Sequence, residues 1–331
     1  MSHRMPAEFE RHDATWMAWP ARREIWGSLF TQVKDDYASL AKTIARFEPI
    51  RMVANPSDAE EARRLCGSAV SVVEIPIDDS WSRDSGPVFL LDQRGGLAAA
   101  AWRFTAWGHK YSPNDEDALL ARRIAARLGV PVSSSDLALE GGAILADGQG
   151  TLITTESCLL NANRNPGLRK AEVEAELIRV LGVQKVIWLP GDPTETETDG
   201  HIDGLMALSA PGRALFEVNE DAMDARFEIL RENRRALELA TDARGRKFDI
   251  TPIEEVDRAL SVGERYCRSY VNFYIVNGGV IAPAYGVASD ARVESVLRGA
   301  FPDRAVVMLP IGAIAVGGGG FHCITQQQPA C

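Results

Sequence analysis

The sequence predicts an α/β fold built from about five copies of one module, strand–turn–strand–helix–strand, closed into a single domain over residues 1–331. Three observations carry this. Amphipathic helical stretches lead into short apolar runs, and several end in glycine just before the run. Between these units lie pairs of apolar runs joined by tight Gly- or Pro-containing turns, at a spacing that repeats every ~50 to 70 residues. No low-complexity linker divides the chain, so the modules can close on one another and bring their loops to one central site.

In chain order, Leu29 to Phe47 reads as a helix leading into a strand at Ile50 to Ala54. Val88 to Leu91 with Gln93-Arg94-Gly95-Gly96 is a hairpin signal. Ser112-Pro113 opens a helix in which Leu120, Ile124 and Leu128 share one face; Gly129 stands where a left-handed cap belongs, and Val130-Pro131-Val132 follows as strand. The grammar recurs with the hairpin Ala143 to Ala146 and Asp147-Gly148-Gln149-Gly150. Its helix opens at Asn165-Pro166 with Val173, Leu177 and Leu181 on one face, then Gly182 and the strand Val186 to Leu189. Leu205 to Leu208 with Ala210-Pro211-Gly212, helix Glu220 to Leu239 and strand Phe248 to Pro252 form the next copy. Phe273 to Val276 with Asn277-Gly278-Gly279, helix Ala291 to Gly299 and strand Val306 to Leu309 form another.

Composition narrows the function. With 46% hydrophobic and 25% charged residues the chain is of ordinary globular make-up, which excludes disorder. The 36 Lys and Arg against 46 Asp and Glu give a formal charge of −10, with no basic run to bind nucleic acid or an anionic membrane. A small cationic partner fits better. The five cysteines (Cys66, Cys158, Cys267, Cys323, Cys331) are odd in number, far apart and without zinc spacing, so neither a disulfide framework nor a metal site is expected. Glu8, Glu10 and Asp13 interrupt any signal-peptide core, and no run of ~18 apolar residues occurs, so the expected setting is cytoplasmic.

Four segments at module edges mix glycine with reactive side chains: Asp78 to Pro87, Leu139 to Gly142, Thr198 to Gly204 and Gly317 to Cys323. Cys323 follows four glycines, which let backbone approach a ligand, and precedes the polar Gln326, Gln327 and Gln328; this favours a nucleophile over a small buried thiol. The other four cysteines read as structural or incidental. His201 and Asp203 alternate on what reads as a short strand, so both can face one side, His201 as acid and base and Asp203 as ligand or orienter. The glycine run lacks the Lys-Ser/Thr of a phosphate loop. Trp81 and Asp84 read as loop residues, with Arg83 engaged by Asp84. Solvated loop charges are the plain alternative. Together, however, Trp81, Asp84, Glu140 and Asp203 describe acids with an aromatic wall, which suits a planar guanidinium. Carboxylates around a cysteine raise its pKa, an arrangement that makes sense when the substrate brings the positive charge.

These residues resemble the agmatine deiminases and the bacterial-type peptidylarginine deiminases of the guanidine-modifying superfamily. The resemblance runs through Met5-Pro6-Ala7-Glu8, Trp16 to Pro20, Trp81 to Asp84, Leu139 to Gly142, Asn161 to Pro166, Thr198 to Asp203 and His322 to Pro329. It implies a pentein fold, an α/β propeller of five pseudo-symmetric ββαβ-type modules. It also implies hydrolysis of agmatine to N-carbamoylputrescine and ammonia through a cysteine thiouronium, with no cofactor. By the same resemblance Cys323 is the nucleophile, His201 the acid and base, and Glu140 with Asp203 the guanidinium-orienting acids; Asp84 and Trp81 line the substrate pocket, and Glu197 faces the distal amine. Gly204, Thr196, Gly320 and Phe321 depart from the family pattern beside these residues and bear on which guanidine is used. Deimination of arginine, peptidylarginine or another guanidine, and amidino transfer to an amine, are the competing activities. A non-catalytic cation-binding module would not need both Cys323 and His201. A homo-oligomer is compatible with all of these readings.

Overall fold

The structure is a computed structural model that describes residues 3–256, 260, 263 and 265–331. Its strands form five small sheets among the described residues, each a copy of the expected module. Val88–Asp92 pairs antiparallel with Leu97–Arg103, which pairs parallel with Val132–Ala138 across the helix Asp117–Leu128. Ile144–Ala146, Thr151–Thr155 and Lys185–Leu189 repeat this around the helix Lys170–Leu181. Met206–Ala210, Arg213–Val218 and Asp249–Glu254 do so around Ala225–Leu239, and Tyr274–Val276, Gly279–Ala284 and Ala305–Pro310 around Ser289–Ala300.

The fifth sheet joins distant parts of the chain. Gln326–Pro329 lies antiparallel to His12–Ala18, which continues parallel into Ile50–Ala54 and Val70–Glu74. Thus Gln326, Gln327 and Gln328 serve the sheet rather than the site: Trp16 Nε1 donates to Gln328 Oε1 at 3.0 Å, and Arg83 Nη1 to Gln327 Oε1 at 2.7 Å.

Helix ends follow the sequence closely and helix starts less so. Gly129 and Gly182 cap their helices in the left-handed conformation, at φ 68° in both. The helix expected at Leu29 to Phe47 runs Phe30–Ile44, inside that span. Three starts lie later than expected, at Asp117, Lys170 and Ala225 instead of near Pro113, Pro166 and Glu220. Side chains account for two of them. Asp78 Oδ2 accepts from Glu116 N at 2.8 Å, and Asp224 accepts from Arg226 N, each satisfying a donor at the helix N-terminus that has no intrahelical partner. The helical faces are buried as their periodicity requires, with Leu120 and Ile124 in one case and Val173, Leu177 and Leu181 in the other.

The module sets the position of the site. Asp84 lies just ahead of the strand at Val88, Glu140 ahead of Ile144, Asp203 ahead of Met206 and Cys323 ahead of Gln326. Each is therefore delivered from the same place in its own module. Among the described residues no helix is long and apolar enough to cross a membrane.

Candidate active site

Trp81, Asp84, Trp107, Tyr111, Glu197, Gly318, Gly319 and Cys323 line one pocket. Trp81 and Asp84 do not sit on an open loop. Residues Ser82–Ser85 form one helical turn, wholly buried, in which Ser82 Oγ donates to Ile324 O at 2.8 Å. Trp81 stacks on Trp26 at 5.9 Å and meets Trp107 edge-on at 6.5 Å, which makes a rigid aromatic wall. Gly319 is required there, because a Cβ on it would stand 2.4 Å from the Trp81 ring and 3.0 Å from the Cys323 Cβ.

Arg83 departs from its expected role. It turns away from Asp84 to Glu8 at 3.4 Å, to Gln327 and to the His322 carbonyl at 3.2 Å. Asp84 is held by other groups: Trp107 Nε1 donates to its Oδ2 at 2.8 Å and Gly142 N to its Oδ1 at 2.9 Å. Burial raises the Asp84 pKa against the pull of His201.

His201 and Asp203 are not on a strand. His201 is extended and leads into a 3₁₀ turn, Ile202–Gly204, that carries Asp203; the chain still brings the two together, with Nδ1 and Oδ1 4.0 Å apart. His201 Nδ1 is also 3.9 Å from Asp84 Oδ1, and its Nε2 is 3.4 Å from Glu140 Oε2. Burial alone would lower the histidine pKa; Asp84, then Cys158 and Glu140, outweigh it and hold His201 well above the usual value. A Cβ on Gly142 would meet His201 Nδ1 at 2.7 Å, Asp84 Oδ1 at 2.9 Å and Asp203 Oδ2 at 3.0 Å, so this glycine lets the three gather.

Glu140 has partners other than the expected guanidinium. Fully buried, it accepts from Arg164 Nε at 2.8 and 3.0 Å and contacts His201; burial pulls its pKa up, but His201 and Arg164 prevail and keep it low. It therefore backs His201, and the acid on the pocket wall beside Cys323 is Asp84. Arg164 is itself locked by Asn163 and by Asp199, whose carboxylate also takes Lys110 at 2.7 Å. Those donors hold Asp199 at φ 63°, the left-handed turn that precedes Gly200 and His201.

Cys323 Sγ lies 3.7 Å from Asp203 Oδ2, and burial, then Asp203 and Asp84, push its pKa well above the ordinary thiol value. Asp203 is ionised nonetheless. Against the opposing effect of burial, His322 lowers its pKa, with His322 Nδ1 on Asp203 Oδ2 at 2.8 Å and His322 Nε2 on Glu8 Oε2 at 2.7 Å. Two carboxylates on two ring nitrogens call for the imidazolium, which donates to both. The pair His322 and Arg83 likewise brings Glu8 down to about 2 despite its burial.

Glu197 is on the pocket wall, where Tyr111 Oη donates to its Oε2 at 2.5 Å and Arg265 Nε stands 3.8 Å from its Oε1. Of the four departures from the family pattern, Gly320 leaves the space that the Asn272 side chain fills, Phe321 is fully buried, Thr196 is exposed, and Gly204 has open space around its Cβ direction.

Several site residues escape sequence reasoning. Glu8, Arg164 and His322 lie inside the motifs that carry the resemblance, yet nothing in their spacing shows that they brace the acids. Trp107 has no signal. Cys158, expected to be structural or incidental, is buried beside His201 and Glu140, with one potential ligand atom from each within 4.8 Å of the others. The Arg164 guanidinium on Glu140 already supplies a cation at that point.

Known proteins resemble this chain in sequence and fold. Residues 4–329 match the family model of the Porphyromonas-type peptidyl-arginine deiminases. The agmatine deiminase of Pseudomonas aeruginosa is 42% identical, with 99% of this chain and 95% of that protein aligned. The solved agmatine deiminase of Enterococcus faecalis superimposes with a TM-score of 0.95 at 34% identity, over 99% of this chain and 96% of that one. A more distant likeness is of fold alone: DDAH from P. aeruginosa, TM-score 0.55 at 14% identity, covering 96% of this chain and 99% of that one. The five-module architecture is thus the pentein fold, and the chain belongs to the Porphyromonas-type peptidyl-arginine deiminase family, which takes in the agmatine deiminases it resembles.

Proposed function

We propose that this protein hydrolyses agmatine to N-carbamoylputrescine and ammonia through a covalent intermediate on Cys323. One observation carries the reading: a cysteine thiol faces a pocket walled by Trp81 and Asp84, with Asp203 at 3.7 Å and the His201 ring behind Asp84 and Asp203. Such a pocket suits a planar cation, with carboxylates for the guanidinium N–H groups and an indole face for its plane. The agmatine deiminases of P. aeruginosa and E. faecalis support agmatine as that cation.

The guanidinium docks between Asp84 and Asp203, and its charge favours loss of the Cys323 proton. Sγ attacks the guanidinium carbon, held in place by the two acids. The C–N bond to a terminal nitrogen breaks as the His201 imidazolium donates its proton, and ammonia leaves. Neutral His201, steadied by Glu140, then takes a proton from water. The hydroxide adds to the thiouronium carbon, the C–S bond breaks and the ureido product leaves. The Cys323 proton goes to solvent and ends on the released ammonia as ammonium, the hydroxyl proton of the adduct returns to Sγ as the C–S bond breaks, and one water is consumed. The scheme calls on no metal or cofactor, and a small diffusible substrate fits a cytoplasmic setting.

Glu197 is the group assigned to the distal amine. Ammonia release should be measured across agmatine, arginine, a guanidinoalkane without an amine, and an arginyl peptide. Agmatine is expected to turn over fastest. Faster release from arginine or the peptide would overturn the substrate, and no release from any of them would overturn the reaction.

A further inference from the structure

Four of the five modules deliver a site residue just ahead of their first strand. In the remaining module that place is held by Asn272, two residues before the strand Tyr274–Val276, and the reaction scheme above gives it no part. Its amide is buried, at 2% exposure, and its orientation is fixed by its neighbours. Oδ1 accepts from the backbone N–H of His322 at 3.0 Å and, more weakly, of Cys323 at 3.4 Å, so Nδ2 must point the other way. There it donates to the Asp203 carbonyl at 3.2 Å and to Cys323 Sγ at 3.3 Å. Gly320 makes this reach available, since a Cβ on it would lie 2.5 Å from Asn272 Oδ1.

The charge around the sulfur is unfavourable to an anion. Burial, then the Asp203 and Asp84 carboxylates, raise the Cys323 pKa, while the neighbouring Cys267 thiol and Tyr37 hydroxyl are themselves held protonated. Against them stand two hydrogen-bond donors, the Asn272 amide and the Gly320 backbone N–H. The amide serves both protonation states: a thiol S–H can donate to Oδ1 at 3.5 Å, and a thiolate accepts from Nδ2.

We propose that Asn272 is a catalytic residue of this site, its Nδ2 amide holding the Cys323 thiolate both when it attacks the guanidinium carbon and when it leaves the thiouronium. The inference rests on Cys323 being the nucleophile. Preorganised donors aimed at developing negative charge are among the largest contributions an active site makes. A merely structural role, tying down the His322–Cys323 turn through Oδ1, would leave the thiol chemistry unchanged.

Two substitutions separate these roles. Asn272→Asp is isosteric and keeps the acceptor for His322 N while exchanging the donor for a carboxylate; Asn272→Ala removes donor and acceptor without adding a charge, so the loss common to both is that of the donor. Both should lower kcat for agmatine by about 100-fold, the scale for one lost donor to developing charge, with KM changed by less than about 3-fold. In both, the pH profile for alkylation of ligand-free Cys323 by iodoacetamide should move up by about one unit or more. An unchanged alkylation profile with kcat within about 3-fold of the parent, or a loss confined to the melting temperature, would overturn the proposal. If the parent protein releases no ammonia from any guanidine, the nucleophile reading falls instead, and the alkylation profile still reports whether Asn272 reaches the thiol.

Discussion

Glu197 lines the same pocket as Cys323, and its surroundings define what it can recognise. Its charge is shared between the Tyr111 hydroxyl and Arg265, the latter almost half exposed at 47%, so an incoming ammonium can replace Arg265 at little cost. Glu197→Gln should weaken binding of agmatine by about 1–3 kcal/mol, the scale of a hydrogen bond to a charged group, and leave a guanidinoalkane without the amine nearly unaffected. Comparing KM for the two substrates checks this, and equal losses would remove Glu197 from substrate recognition. Cys323 gives a second test at this scale. Burial, then Asp203 and Asp84, disfavour the thiolate, so the free protein should hold the protonated form through neutral pH, and alkylation should still be accelerating as pH rises past 9.0. A bound guanidinium reverses the sign, because it neutralises those carboxylates, and should move the profile to lower pH. A ligand-free thiol that titrates below the ordinary cysteine value would contradict the substrate-assisted picture. The gathering of Cys323 and His201 about Asp84 and Asp203 was legible because each stands in a glycine-rich segment at the edge of a module. The role of Glu140 was not legible, since its partners Arg164 and His201 lie 24 and 61 positions away.

Helix ends were easier to read than helix starts, because a left-handed glycine is a local requirement while an N-terminal cap can come from anywhere. Asp78 meets the helix that begins at Asp117 from 38 residues upstream, which no window of sequence reveals. The two glycine caps make a matched pair for measurement. Gly129 and Gly182 share φ 68°, yet a Cβ on Gly129 meets nothing within 4 Å, whereas one on Gly182 would fall 1.5 Å from the His3 carbonyl oxygen. Gly129→Ala should therefore cost only the left-handed backbone penalty, about 1–2 kcal/mol. Gly182→Ala should cost clearly more, since the short strand His3–Arg4, paired with Leu91 and Asp92, must also move. Urea midpoints for the two variants decide it, and equal losses would mean that His3 yields freely.

Closure is the property that the local patterns could not show. Trp16 and Gln328 meet across 312 positions, and the sheet that joins them is made from both extremes of the chain, so no module can be assigned its fifth copy from neighbouring residues. The four hairpin-and-helix copies between them were legible because each is complete within its own stretch of sequence. A sheet of this kind makes the modules interdependent: opening it frees Cys323, three residues before Gln326, and the Arg83 segment bound to His322 and Gln327. Heating should accordingly give one unfolding transition, with calorimetric, circular-dichroism and activity midpoints coincident. Two resolved transitions would show that the chain is divided into separate units.

In the proposed function all of these parts serve a covalent step at one sulfur. Quenching the protein during turnover of agmatine and measuring its intact mass, followed by peptide mapping, tests this most directly. The expected result is an adduct equal to agmatine less ammonia, located on Cys323. A protein that is turning over yet carries no substrate-derived mass on any cysteine, or carries it on Cys158 or Cys267 instead, would contradict it.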